Sequence, residues 1–219
     1  MQFSELNLNT PLLNALDELG YDFATPIQEQ AFAPIMSGQD MVGIAQTGTG
    51  KTYAYLLPLL KLLKYSEQKH PRVLIIVPTR ELVLQVVRSL EELTPYINTR
   101  IGGVYGGANI NTQKQLIFEG LDILVSTPGR LIDLGASRVL NLKKIQKLVL
   151  NFCNYLKVGG IYVIEDIQSS YANAMNGDPN LGIDKNIVSF FSKFIHSTNR
   201  EFLQKKWLFN QPSNTPKIN

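Results

Sequence analysis

Apolar positions along residues 1–150 follow two alternating patterns, one typical of buried strands and one typical of helices. Short apolar runs predict strands at Met41–Ile44, Arg72–Val77, Arg100–Tyr105, Asp122–Val125 and Ile145–Leu150. Amphipathic stretches with capping residues predict helices between them, at residues 10–20, 25–38, 51–63, 80–93 and 111–118. Strands that alternate with helices predict an α/β fold, with a mostly parallel sheet and helices on both faces.

The pattern changes after about residue 150. Residues 151–156 have helical spacing, Ile161–Ile164 predicts a buried strand, and residues 169–182 have the Ser, Asn, Gly and Pro content of a loop. Residues 184–206 again have helical spacing. We therefore predict two segments, 1–150 and 151–219, with the sheet incomplete or altered after residue 150.

Composition narrows the class of protein but does not name a partner. The chain has 219 residues, of which 44% are hydrophobic and 18% charged, as in soluble globular proteins. The single cysteine, Cys153, excludes an internal disulfide, and only two histidines are present, so no zinc cluster is expected. No secretory signal or membrane span is predicted, and we expect a cytoplasmic protein. The net charge of +3 does not by itself indicate a nucleic-acid partner.

A Gly-rich stretch between the first predicted strand and the following helix carries the strongest chemical signal. It reads Ala45-Gln46-Thr47-Gly48-Thr49-Gly50-Lys51-Thr52, which is a P-loop in its strand–loop–helix context. The glycines allow backbone N–H groups to surround phosphate oxygens, and the helix N-terminus favours negative charge. We expect Lys51 to reach the β- and γ-phosphates of ATP and Thr52 to bind Mg²⁺.

Together with this P-loop, further motifs in residues 1–150 resemble the DEAD-box RNA helicases, whose first domain has a RecA-like fold. Phe3, Tyr21 and the run Thr25-Pro26-Ile27-Gln28 are similar to the adenine-recognition element of that family. The resemblance implies that Gln28 reads the adenine edge and that an upstream aromatic residue packs against the base. A glutamine amide offers both a donor and an acceptor, as adenine requires. Taken alone, the run is also consistent with a simple helix cap.

Three segments follow predicted strands where open α/β sheets place ligands. They are Pro78-Thr79-Arg80-Glu81, Gly106-Gly107 and Thr127-Pro128-Gly129-Arg130. In the DEAD-box family these segments line the sugar-phosphate backbone of RNA, so the resemblance implies RNA binding without base specificity. The two segments that contain an arginine, taken alone, are also consistent with a helix cap and a solvated arginine.

The DEAD-box resemblance fails where the family's Asp-Glu-Ala-Asp box is expected. After the strand that ends at Leu150, the sequence reads Asn151-Phe152-Cys153-Asn154, which lacks the magnesium carboxylates. The Ser-Ala-Thr element and a second RecA-like domain are also missing, so unwinding would need that domain in trans. One alternative uses Glu165 and Asp166, at the end of the strand Ile161–Ile164, as replacement carboxylates beside the P-loop.

Residues 151–205 instead resemble the late part of a class I S-adenosylmethionine-dependent methyltransferase. The run around Gly159-Gly160 and the aromatic-rich helix after it carry this resemblance. We hypothesise that two unrelated genes are joined near residue 150, by recombination or by an error of sequence assembly. The sequence thus leaves three functions open: the ATP- and RNA-binding domain of a helicase, a non-catalytic nucleotide-dependent RNA-binding module, and a methyltransferase fragment.

Overall fold

The computed structural model of the chain describes residues 1–46, 48–151 and 160–165. Its α-helices are α1 (Thr10–Glu18), α2 (Pro26–Met36), α3 (Lys51–Leu62), α4 (Arg80–Leu93), α5 (Ile110–Glu119) and α6 (Pro128–Ala136). Its strands are β1 (Met41–Ile44), β2 (Val73–Ile76), β3 (Ile101–Val104), β4 (Ile123–Ser126), β5 (Lys147–Asn151) and β6 (Gly160–Glu165). Short 3₁₀ helices span Phe3–Leu6 and Leu142–Lys144. Within the described residues, no helix has the length and apolar character needed to cross a membrane.

The strands form one sheet in the order β1-β6-β5-β2-β4-β3. Strands β5, β2, β4 and β3 pair in parallel, and β6 pairs antiparallel with both β1 and β5. Because β1 and β5 are both antiparallel to β6, they run in the same direction as each other. The predicted α/β fold with a mostly parallel sheet is therefore confirmed, and the carboxyl ends of β1 to β5 lie at one edge.

Strand β6 occupies the position beside β1 but runs in the opposite direction to the other five strands. Only eight residues, 152–159, separate β5 from β6. A parallel connection needs a crossover of a dozen or more residues, so a link of this length favours an antiparallel pair. Glu165 consequently pairs with Lys147, where β5 begins, and Gly160 pairs with Ile44, where β1 ends.

Helices cover both faces of the sheet because the strand residues alternate between two apolar clusters. Along β2, Val73 and Ile75 belong to the first cluster, and Leu74 and Ile76 belong to the second. The first cluster is completed by buried residues of α1 to α4, including Leu12, Ile35, Leu56 and Leu90. The second is completed by residues of α5 and α6, including Ile117, Leu131 and Leu134.

A buried ionic cluster joins three strands at the edge where they begin. Asp122 Oδ1 lies 2.8 Å from Arg72 Nη2, and Asp122 Oδ2 lies 3.0 Å from Arg100 Nε. The backbone N–H of Arg100 also donates to Asp122 Oδ2, at 3.0 Å. Arg72, Arg100 and Asp122 immediately precede β2, β3 and β4, so this cluster, which we call the amino-edge cluster, connects the starts of those strands.

Candidate functional site

The Gly-rich loop between β1 and α3 has the backbone shape that its sequence predicts. Gly48 and Gly50 have positive φ angles of 80° and 81°, a region that residues with a side chain rarely adopt. A Cβ atom at Gly50 would also lie 2.4 Å from Gln28 Nε2, which is too close for any real contact. The conformation of Gly50 therefore favours glycine, and a side chain there would also displace Gln28. Thr47, another predicted phosphate contact, lies outside the described residues.

Lys51, the first residue of α3, folds back onto the loop. Its side chain is buried, and Nζ donates to the carbonyl oxygens of Ala45, at 2.6 Å, and Gln46. The Thr49 hydroxyl donates to the same Gln46 carbonyl, at 2.8 Å. An ammonium group at a helix N-terminus, beside two glycines, matches what a phosphate requires. A bound phosphate would have to compete with these two carbonyl groups for hydrogen bonds from the Lys51 ammonium group.

Gln28 connects the start of α2 to the P-loop. Its Oε1 accepts a hydrogen bond from the Thr25 backbone N–H, at 2.9 Å, and its Nε2 donates to the Gly50 carbonyl, at 3.1 Å. The side chain is only 5% exposed. The structure therefore brings Thr25 and Gln28 against the P-loop, and both ends of the Gln28 amide are bonded within the domain.

The two aromatic residues predicted for this element lie in different environments. Phe3 is buried in the first apolar cluster, and its backbone N–H donates to the Asp22 carbonyl, at 3.0 Å. Tyr21 is half exposed, and its ring meets that of Tyr53 edge to face, with the centroids 5.7 Å apart. Tyr53 follows Thr52 on α3, and its hydroxyl donates to Glu92, at 3.1 Å. Burial is the main cause that raises the pKa of Tyr53, and the hydrogen bond to Glu92 raises it further.

The segment after β2 begins α4 with a side-chain cap. The Thr79 hydroxyl accepts a hydrogen bond from the Leu82 backbone N–H, at 3.3 Å. Arg80 is exposed, and its guanidinium lies over the Tyr105 ring, 4.8 Å from the centroid. The exposed Glu81 carboxyl group accepts hydrogen bonds from the Glu81 backbone N–H and from Thr79. These bonds lower its pKa. Pro78 precedes this cap and is half buried.

The segments after β3 and β4 lie next to each other. Gly106 and Gly107 are exposed, and Gly107 has a positive φ angle of 79°. The Thr127 backbone N–H donates to the Val104 carbonyl, at 3.2 Å, which joins the ends of the two strands. Pro128 begins α6, and Gly129 is exposed, with open space where a Cβ atom would lie.

Arg130 differs from the expected exposed phosphate contact, because it is 7% exposed and its guanidinium bonds inside the domain. Nη1 donates to Gln113 Oε1, at 2.6 Å, and Nη2 donates to the Ala108 carbonyl, at 3.1 Å. Gln113 was not among the predicted site residues. The sequence could have indicated Gln113, because this polar residue lies one helical turn before the buried Ile117, on the same face of α5.

All of these segments follow the carboxyl ends of strands that run in one direction, so they share one edge of the sheet. Ile76 and Val104 both pair with Ser126 at that edge, and Leu150 pairs with Ile76. Strand β5 ends there with Asn151, at the position of the missing acidic box.

Of the two proposed replacement carboxylates, Glu165 does not lie at the P-loop edge of the sheet. Because β6 is antiparallel, Glu165 lies at the edge where β5 begins, opposite the edge that carries Lys51 and Thr52. Asp166 lies outside the described residues. No group of three or more His, Cys, Asp or Glu side chains able to hold a metal occurs in the part of the chain that the structure describes.

This chain is similar to several known proteins and to one protein-family model. The family model described as DEAD/DEAH box helicase matches residues 25–158. The ATP-dependent RNA helicase DeaD of Escherichia coli is 37% identical over 176 residues, which cover 80% of this chain and 28% of that protein. The human protein named probable ATP-dependent RNA helicase DDX46 is 40% identical over 154 residues, which cover 67% of this chain and 15% of that protein.

A solved structure supports the same assignment. The crystal structure of a DEAD box protein from Methanococcus jannaschii matches with a TM-score of 0.61 and 33% identity, over 68% of this chain and 41% of that one. This chain thus spans less than half of that protein and less than a third of the two RNA helicases. These matches do not support the methyltransferase resemblance of residues 151–205. The match to residues 25–158 covers more than half of the chain, which therefore belongs to the DEAD/DEAH box helicase family.

Proposed function

We propose that this chain supplies the ATP- and RNA-binding domain of an ATP-dependent RNA helicase, and that it binds ATP without hydrolysing it. The observation that carries the proposal is the shared edge of the sheet, where the P-loop lies alongside the segments after β2, β3 and β4. A phosphate-binding loop and a row of exposed or partly exposed residues with backbone and hydroxyl donors at one edge suit a nucleotide and a nucleic-acid backbone together.

ATP fits the residues of the P-loop. Gly48 and Gly50 have the backbone conformation that turns N–H groups toward a phosphate, and Lys51 supplies the positive charge at the N-terminus of α3. The remaining predicted phosphate contacts are Ala45, Gln46, Thr47, Thr49 and Thr52. On the base side, Thr25 and Gln28 lie against the P-loop, and the half-exposed Tyr21 offers an aromatic ring. When bound, ATP supplies a phosphoryl group that transfers to water in active helicases.

Mg²⁺ has one proposed protein ligand, the hydroxyl group of Thr52. The family's first carboxylate is replaced by Asn151, whose neutral amide cannot balance the charge of the metal. Phosphoryl transfer depends on placing the metal, a group that positions water and a stabilising arginine together. The described residues provide the phosphate site alone, so hydrolysis is not expected from this chain. A second RecA-like domain would contribute the arginine.

RNA is the proposed partner of the other segments. Thr79 and Thr127 precede helices at the shared edge, and Arg80, Gly106 and Gly107 are exposed there. Pro78, Glu81, Pro128 and Gly129 complete the predicted surface. Hydroxyl groups, backbone amides and one arginine suit phosphate and sugar oxygens, which carry no base information. Binding is therefore expected to be independent of RNA sequence.

The test measures ATP binding and RNA-stimulated ATP hydrolysis on the same purified chain. We expect ATP to bind, and Lys51→Ala to lower its affinity by about tenfold or more, since a charged hydrogen-bonding group is removed. Lys64→Ala, which removes an exposed lysine beyond the end of α3, serves as the charge control and should bind like the unaltered chain.

A measurement of ATP hydrolysis distinguishes an active helicase domain from a non-catalytic, nucleotide-dependent RNA-binding module. With RNA present, we expect phosphate release no faster than that of Lys51→Ala. Turnover well above that control would overturn the non-catalytic part of the proposal, and equal ATP affinity in the two chains would overturn the nucleotide site itself.

A further inference from the structure

Gln113 lies on α5, outside every motif that the sequence analysis identified. Its side chain is 6% exposed, and both ends of its amide group are bonded. Oε1 accepts from Arg130 Nη1, at 2.6 Å, and Nε2 donates to the Tyr105 carbonyl, at 3.2 Å. A buried amide that satisfies both its donor and its acceptor fixes the groups that it bonds.

The bonded groups lie on both sides of the Gly106-Gly107 turn. Gln113 bonds the carbonyl of Tyr105, just before the turn, and Arg130 Nη2 donates to the carbonyl of Ala108, just after it. A Cβ atom added to either glycine would have no neighbouring atom within 4 Å. The two glycines are thus exposed, while Gln113 and Arg130 hold the residues on either side of them.

The same network reaches the segment after β2. The guanidinium of Arg80 lies 4.8 Å from the centroid of the Tyr105 ring, on the residue whose carbonyl Gln113 holds. The position of Tyr105 therefore affects both the glycine turn and Arg80. Through Gln113, the segments after β2, β3 and β4 form one connected arrangement.

We propose that Gln113 is a positioning residue for RNA binding, and that Arg130 acts through the Gly106-Gly107 turn and not on a phosphate. The proposal rests on the RNA binding proposed above. Arg130 is 7% exposed, donates to two internal acceptors and lies 3.5 Å from the Asp133 carboxylate, so its guanidinium is largely covered and already occupied by groups of the domain. Gln113 and Arg130 instead keep the backbone amides of the turn and the ring beneath Arg80 in the arrangement that binds RNA.

Binding of a single-stranded oligouridylate, measured by fluorescence anisotropy over a range of salt concentrations, tests this proposal. Removing a cation that contacts phosphate lowers the salt dependence of the affinity, whereas removing a positioning residue lowers the affinity alone. We expect Gln113→Ala to weaken binding about fivefold to tenfold, the effect of a hydrogen bond or two, with an unchanged salt slope. Gln115→Ala, on the exposed face of α5, should bind like the unaltered chain.

Arg130→Lys distinguishes the two roles of the arginine while keeping its charge. A lysine still attracts a phosphate but cannot donate to both Gln113 and Ala108 as the guanidinium fork does. We expect Arg130→Lys to weaken RNA binding as much as Gln113→Ala does, and the double variant to lose no more than either single variant. ATP affinity should stay unchanged in all of them, which shows that the domain is folded.

Three results would overturn the positioning role. These are unchanged RNA affinity in Gln113→Ala, near-normal affinity in Arg130→Lys, and additive losses in the double variant. If the unaltered chain does not bind the oligouridylate, the proposed RNA binding itself fails. If it binds and the variants bind equally well, only the role of Gln113 fails.

Discussion

The Gln28 amide makes two hydrogen bonds within the domain, in addition to the adenine contact that the family resemblance implies. Its Oε1 accepts from the Thr25 backbone N–H. Its Nε2 donates to the Gly50 carbonyl, and Gly50 is the residue immediately before the helix that follows the P-loop. We therefore expect Gln28→Ala to weaken the binding of inorganic triphosphate, which has no base, by about twofold to tenfold, the effect of one hydrogen bond. The affinity for ATP should fall further, because the adenine contact implied by the family resemblance is lost as well.

Competition of each compound with a fluorescent ATP analogue measures these affinities. Gln30→Ala is the matched control, because Gln30 is exposed on the same helix two residues away. If Gln28→Ala leaves the triphosphate affinity unchanged, then its contact with Gly50 does not contribute to phosphate binding.

Strands β2, β3 and β4 depend on the amino-edge cluster for their relative positions. Burial opposes ionisation of Asp122, but hydrogen bonds from Arg100 and Arg72 outweigh it and lower the pKa of this carboxyl group. Asp122→Ala leaves Arg72 buried without its partner, and breaking a buried ion pair in this way costs about 3–5 kcal/mol of unfolding free energy. Urea denaturation at neutral pH measures the loss, and Asp17→Ala, at an exposed position on α1, should change stability by less than about 0.5 kcal/mol.

The pH dependence of stability follows from the same carboxyl group. Because its pKa is lower in the folded chain, Asp122 stabilises the fold above its unfolded pKa of about 4, and this contribution is lost as the pH falls through the folded value. The difference in stability between the unaltered chain and Asp122→Ala should therefore shrink below about pH 4. A difference that stays constant from pH 7 to pH 3 would contradict the role of the ionised carboxylate.

The elements of this domain were largely predictable, because their apolar spacing and caps are local signals. The predicted strand Met41–Ile44 and the predicted helix at residues 80–93 agree with β1 and α4. The sequence pattern does not predict helix α6, because Gly129 and Gly135 are poor helix formers within it. The direction of β6 depends on the length of its connection and on pairing with two strands distant in sequence, which local spacing does not report.

The local structure of the candidate site residues was predictable where a backbone conformation or a helix start favours a residue type, as at Gly50 and Thr79. These residues were not predictable where the role depends on long-range contacts. Gln113 bonds a residue 17 positions away, and whether Arg130 faces solvent or the interior cannot be read from its position in a motif. Burial of Phe3 is likewise a tertiary property, since its neighbours come from several helices.

Across the whole molecule, charge is nearly balanced, which constrains how RNA binds. Residues 1–150 contain 14 basic and 13 acidic side chains, so no broad field attracts a polyanion. Of the residues proposed to contact RNA, Arg80 is the one exposed cation, and the others are neutral, apart from the acidic Glu81. The affinity should therefore depend on hydrogen bonds to the backbone more than on released counterions.

We therefore expect a shallow salt dependence, with a slope of about −1 in a plot of log affinity against log salt, as one or two neutralised phosphates give for single strands. Arg80→Ala should reduce the steepness of that slope by about 0.7, because one phosphate contact is lost. Arg88→Ala removes an exposed arginine two turns further along the same helix and should leave the slope unchanged. A slope steeper than about −3 for the unaltered chain would mean that several more cations contact the RNA, and the neutral backbone-binding surface would then be wrong.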